Sequence, residues 1–132
     1  MNPMSATAGL ATLDVLDSGP VYEYVEEAGE RAREELAQRF DALGVDATVA
    51  GEGSMIYPHF LPDGPLCDLD DVKAGTDRGA LREFHRRLFD HGVYFLPTHM
   101  GAVSYQTTEA QIDAFLDAAE TVAREMQADG RL

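Results

Sequence analysis

The sequence predicts an α+β domain: a small, mostly antiparallel sheet covered on one face by helices. Three observations predict it. Several long segments carry apolar residues at steps of three and four, each as a single stripe. Two short apolar runs flank a glycine-containing loop, the pattern of a β-hairpin. The 132 residues are one domain's worth of chain, enough to bury a core without disulfide staples.

Residues 5–16 predict a helix on Leu10, Leu13 and Leu16, broken at Ser18-Gly19-Pro20. Pro20 suits the first turn of the next helix, where a missing N–H costs nothing. That helix sets Val21, Val25, Ala28, Ala32, Leu36, Phe40 and Leu43 opposite Glu23, Glu26, Glu27 and Glu30, and Gly44 stops it. Residues 47–50 and 54–60 predict strands joined by Gly51-Glu52-Gly53. Pro62, Gly64, Pro65, Asp68, Asp70, Asp71 and Gly75 mark 61–75 as a loop. Thr76 or Asp77 can cap a third long helix carrying Leu81, Phe84, Leu88 and Phe89, ending at Gly92. Short strands are expected over 93–96, stopped by Pro97, and over 102–105. Thr108 with Gln111 fits a capping box for a last helix to Gln127, on Ile112, Phe115, Leu116, Ala119, Val122, Ala123 and Met126.

Charge excludes several partners. Ten basic residues against twenty-four acidic ones leave a net −14, which repels nucleic acid and anionic membranes. The acids are dispersed, as on a solvated surface. Nine of the basic residues are arginine and one is Lys73. Abundant acid with almost no lysine points to a salt-rich cytoplasm, where screening softens self-repulsion. No apolar run approaches the ~20 residues of a membrane helix. Residues 1–10 have no basic residue and no long apolar stretch, so no signal peptide is expected. Cys67 is the single cysteine, which leaves neither an intramolecular disulfide nor a multi-cysteine zinc site.

The side chains alone name no reaction. His59 falls on a strand, His85 inside a helix, His91 at that helix's C-terminus and His99 in a loop. None is paired at metal-ligand spacing, and His91 suits the helix dipole. Only His99, in the 97–101 loop, is placed to face a ligand, with loop structure as the competing role. Ser54 and Ser104 lack a nucleophile setting, and Asp68 and Asp70 beside Cys67 disfavour a thiolate. Gly51-Glu52-Gly53-Ser54 lacks the lysine and the following helix of a phosphate loop.

Whole segments say more. Asn2-Pro3 opens a helix rich in small residues and leucine; Gly53-Ser54-Met55-Ile56 opens a strand with Phe60 beyond. Phe84-His85 precedes Leu88-Phe89-Asp90-His91-Gly92-Val93-Tyr94-Phe95-Leu96-Pro97, and Thr108-Glu109-Ala110-Gln111-Ile112-Asp113 starts the last helix. In this order and spacing, over nearly the whole chain, these phrases resemble the C-terminal part of class III aminotransferases. Those are fold-type I enzymes dependent on pyridoxal phosphate, and the match is nearest the glutamate-1-semialdehyde 2,1-aminomutase branch.

The resemblance implies a connecting helix over 1–19 and a C-terminal small domain over 20–132, with 93–96 and 102–105 joining the hairpin in one sheet. It implies amino-group transfer, for that branch from glutamate-1-semialdehyde to 5-aminolevulinate, in the cytoplasm. It places Ser54, Met55, His99 and Gly101 as substrate-binding candidates at the mouth, with strand and loop packing as their alternative role. It assigns no catalytic, metal or cofactor-binding residue here.

The family's Schiff-base lysine lies upstream of the Asn-Pro phrase, and Lys73 matches no catalytic position. The glycine-threonine-phenylalanine stretch that holds cofactor phosphate is absent, and Met1 stands where the family usually has glycine. After Pro97 the chain is shorter than the aminomutase pattern and lacks its glutamate and histidine. Pyridoxal phosphate is thus expected for the parent family and not for the isolated chain. The expected partner is a large cofactor-binding domain, or another copy through the first helix, whose Met4, Leu10 and Leu13 would otherwise be exposed. The alternative is a non-catalytic interaction module, or a split or truncated product pairing with a separate large-domain chain. An unrelated acidic α+β binding domain is a third reading.

Overall fold

Helix α1 (Pro3–Ser18) begins where Asn2 accepts the Met4 N–H at 3.0 Å and Pro3 occupies a position that needs no donor. The structure is a computed structural model describing residues 2–60, 66, 69–96 and 98–132. The readings of Met1, Cys67, Asp68 and Pro97, and of the loop over 61–65, lie outside those residues. Helix α2 (Val21–Leu43) follows Pro20 as expected. It stops at Gly44, whose φ of 67° is left-handed and whose N–H caps the Phe40 and Asp41 carbonyls. Ala28, Ala32, Leu36 and Phe40 of its stripe are buried.

Strands β1 (Ala47–Ala50) and β2 (Met55–Phe60) pair antiparallel, Ala47 opposite Phe60 and Ala50 opposite Tyr57. Ser54, expected in the strand, falls just before it. Gly29 of α2 seats the helix on the hairpin turn: a Cβ there would lie 2.0 Å from the Gly53 carbonyl oxygen. The Arg33 guanidinium, a turn further on, donates to the Gly53 and Met55 carbonyls at 2.6 and 2.9 Å. Ile56, Pro58 and Phe60 point into the core.

The expected loop over 61–75 is corrected at its end, where helix α3 (Leu69–Gly75) forms. The aspartates that read as loop punctuation serve as its first turn. Asp70 and Asp71 there, and Lys73 in its last turn, match the helix dipole. Helix α4 (Arg78–Asp90) is capped by Asp77, which accepts the Gly79 and Ala80 N–H groups at 2.8 and 2.9 Å.

A strand over 93–96 does not form. The Val93 N–H instead closes the end of α4 on the Leu88 carbonyl, and the His99 N–H turns back to Leu96. The side chains still alternate, with Tyr94 and Leu96 exposed and Phe95 partly buried. The backbone of 93–96 pairs with no strand, and β2 is flanked by β1 on one side and β3 (Gly101–Ala102) on the other. Strand β3 also corrects the expected 102–105. It pairs Met55 with Ala102 and Ile56 with Gly101, the Val103 N–H adds a bond to the Ser54 carbonyl, and a Ser104–Thr107 turn ends the run.

Helix α5 (Glu109–Ala128) starts at the expected capping box, Thr108 and Gln111 bonding each other's backbone. The sheet has the order β1-β2-β3, with α2 and α4 against it and α5 packed between those helices. Phe40, Phe60 and Phe84 meet with ring centroids 5.2–5.9 Å apart and join α2, β2 and α4. Leu36, Phe84 and Phe115, one from each long covering helix, are all buried. Among the described residues no helix is long and apolar enough to cross a membrane.

Candidate functional site

Backbone pairing assembles the predicted site residues. The β2–β3 register puts Met55 beside Ala102 and Gly101 beside Ile56, and Ser54 holds the Val103 N–H at 2.9 Å. Ser54, Met55 and Gly101 therefore share one end of a two-strand ladder. His99 is exposed on the loop leading into β3. The fold gathers the four into one edge. No hydrogen bond among the described residues joins the side chains of Ser54 and His99. The edge is a wall or rim rather than a proton-transfer constellation.

Gly101 is required by packing. A Cβ on it would lie 2.1 Å from Cε1 of Phe95. That ring is stacked between His85, at 5.3 Å, and Phe115, at 5.4 Å between centroids. Sequence reasoning missed the residues that shape this loop. The Thr98 N–H donates to Nδ1 of His85 at 3.1 Å, and the Tyr57 hydroxyl donates to the Thr98 carbonyl at 2.8 Å. Thr98 has a φ of 64°, the one left-handed non-glycine residue among those described. Nothing in the sequence marks Thr98. Gly29, lying mid-helix between stripe residues, was the one legible sign of close backbone approach near the hairpin.

Burial sets the histidines apart. His85 is 1% exposed, and desolvation of its cation lowers its pKa from 6.5 to about 4. With Nδ1 accepting from Thr98, the ring proton sits on Nε2, which has no hydrogen-bond partner among the described residues. His59, also buried, has its pKa lowered by desolvation and lies 3.2 Å from the Thr76 hydroxyl. His91 caps α4 and meets Glu125 at 3.3 Å. Among the described residues no group of three potential ligands could hold a metal.

The sequence's one lysine, Lys73, is not placed as a Schiff-base amine. Lys73 lies on α3, not in the expected loop. It is more than half exposed, and its Nζ pairs with Asp70 at 3.1 Å. A Schiff-base amine must instead be deprotonated in a protected pocket. No step through the cofactor is assigned to this chain's own side chains.

No family model matches the chain. It is 33% identical over 120 residues to the glutamate-1-semialdehyde 2,1-aminomutase of Thermus thermophilus, covering 89% of this chain and 28% of that protein. It is 34% identical over 127 residues to the aminomutase of the same name from Rhodopirellula baltica, covering 95% of this chain and 28% of that protein. The fold overlays a transaminase with PLP bound at a TM-score of 0.78 and 23% identity, over 99% of this chain and 29% of that one. Over nearly its whole length the chain is similar to one part of proteins named glutamate-1-semialdehyde 2,1-aminomutase, and its fold is that of the matching part of a transaminase. Among aminotransferases this α+β arrangement recurs as part of a larger molecule. The chain spans 28% of the length of those two aminomutases.

Proposed function

We propose that residues 20–132 act as the C-terminal small domain of a class III aminotransferase or aminomutase, with 1–19 as a connecting helix. Together with a large cofactor-binding domain it would transfer an amino group through pyridoxal phosphate in a salt-rich cytoplasm. The observation that carries this is the match of nearly the whole chain, as one unit, to 28% of the aminomutases. The cofactor supplies the electron sink for carbanion chemistry. This chain's part is to build the rim at Ser54, Met55, His99 and Gly101, orienting substrate and excluding water. The relatives' names favour glutamate-1-semialdehyde as substrate, and the family resemblance implies 5-aminolevulinate as product.

Helix α1 supports a docked partner. None of its described residues is buried, and Met4, Leu10 and Leu13 are 81%, 64% and 60% exposed. A large domain, or a second copy of the chain, would cover them. The exposed ion pair at Lys73 favours a second reading, a module that is non-catalytic until such a domain is supplied.

Borohydride reduction after mixing with pyridoxal phosphate tests the division of labour. The chain alone is expected to show no stoichiometric adduct at Lys73. Activity toward glutamate-1-semialdehyde is expected when a family large domain carrying its lysine is added. Stoichiometric labelling of Lys73 at low cofactor concentration, lost in Lys73→Ala, would overturn the proposal, as would a light-scattering monomer that never binds the large domain.

A further inference from the structure

The backbone outlier at Thr98 is held from both sides by side chains of the core. We propose that Tyr57 and His85 are positioning residues that lock Thr98 in its left-handed conformation and so present His99 as a preset part of the substrate rim. The inference rests on the functional reading above for what the rim does, but the lock itself is a property of this chain.

The geometry is a clamp on one peptide unit at each face of Thr98. Tyr57, on β2, donates its hydroxyl proton to the Thr98 carbonyl, and His85, on α4, accepts the Thr98 N–H. Both backbone groups of one residue are thus bound by side chains from two different elements. A left-handed non-glycine residue persists only where its surroundings over-determine it, and such outliers gather at functional sites. The other end of the loop is fixed by the sheet and by packing. Gly101 pairs with Ile56 in the sheet and lies against the Phe95 ring, where no side chain could fit. His99 stands between these two anchors, exposed, with its N–H on the Leu96 carbonyl at 2.9 Å.

His85 suits this role better than an apolar residue would. Its Nδ1 supplies the acceptor, while Phe95 stacks on its ring. The fold leaves its Nε2–H without a partner among the described residues, so the ring is retained despite an unmade hydrogen bond. Tyr57 is partly buried against the core from β2, and its hydroxyl reaches the loop.

Amide hydrogen exchange by NMR on the full chain reads the lock, with the His99 N–H as reporter because neither clamp residue bonds to it. Tyr57→Phe and His85→Leu are expected to speed exchange at His99 by about three- to tenfold, with core amides of α5 unchanged. His85→Asn is expected to restore slow exchange, since its Oδ1 occupies the place of Nδ1 two bonds from Cβ. Thr98→Gly, which adopts the left-handed conformation freely, should make exchange insensitive to Tyr57→Phe.

Unchanged His99 exchange in Tyr57→Phe, or His85→Asn behaving as His85→Leu, overturns the proposal. Should His85→Leu not fold, Tyr57→Phe and Thr98→Gly still decide it. In an assembly with a family large domain, Tyr57→Phe should raise KM for glutamate-1-semialdehyde several-fold with kcat little changed, and an unaltered KM counts against the role at the rim. A wild-type assembly without activity overturns the functional reading, while the exchange pattern still supports or refutes the clamp.

Discussion

Acidification should destabilise this protein through His85, by an amount that can be isolated. In the fold the imidazole is 1% exposed and its desolvated cation titrates near 4, against 6.5 for a solvated histidine. Between those values the unfolded chain binds a proton that the folded chain refuses. Stability is therefore present in full above pH 6.5, falls as pH drops toward 4, and levels off below it. Each pH unit in the window is worth about 1.4 kcal/mol, so the loss reaches about 2 kcal/mol at pH 5 and about 3 kcal/mol at pH 4.

Other groups titrate over the same range. His59 acts in the same direction, its pKa also being lowered by burial. Glu83, held down to about 2 by Arg86 and Arg87, loses its contribution only as pH falls from about 4.5 toward 2. Protonation of other carboxylates relieves the net −14 and works the opposite way. Comparing wild type with His85→Asn cancels these contributions, because both proteins carry them. Urea denaturation at half-unit steps from pH 8 to 4 should show the wild type losing about 3 kcal/mol relative to the variant. A difference flat to within about 0.5 kcal/mol between pH 7.5 and 4.5 would refute the reasoning, since the fold could then not be holding the histidine neutral while the unfolded chain takes up its proton.

Gly101→Ala should cost about 1–3 kcal/mol by urea denaturation, because its Cβ would press on Phe95. Gly29→Ala should destabilise despite the gain of about 1 kcal/mol in helix propensity, since its Cβ meets the Gly53 carbonyl. Phe84→Ala removes the ring between Phe40 and Phe60 and should cost about 3–5 kcal/mol. Thermal melts should rise from 0.1 to 1 M sodium chloride as the Debye length shrinks from about 10 to about 3 Å. The α2–α5 pairs that salt weakens, Arg31 with Asp113 and Arg39 with Asp117 and Glu120, lie at the surface and are screened by solvent, so their loss does not reverse the trend. A midpoint that is flat or falls with salt would contradict this.

The long elements were legible because their determinants are local. The α2 stripe from Ala28 to Phe40, the Gly44 stop, the Asp77 cap and the Thr108–Gln111 box each lie within a few residues of what they control. The hairpin was legible for the same reason, whereas the pairing that brings Gly101, read as loop, beside the start of β2 was not.

Tertiary structure decided the rest. Residues 93–96 alternate as a strand does, yet the Val93 N–H closes the end of α4 on the Leu88 carbonyl and the His99 N–H turns back to Leu96. Phe95 went instead into the stack between His85 and Phe115, which in turn requires a bare backbone at Gly101. The left-handed turn at Thr98 has no local cause in a threonine. It exists because Tyr57 and His85, distant in sequence, bind both of its backbone groups at once. Local sequence therefore determined the long helices and their stop and cap signals, since those energies act between near neighbours, while the short α3 was read as loop. Only the packed fold determined the shape of the candidate rim, because its hydrogen bonds and ring contacts join residues that the chain brings together solely by folding.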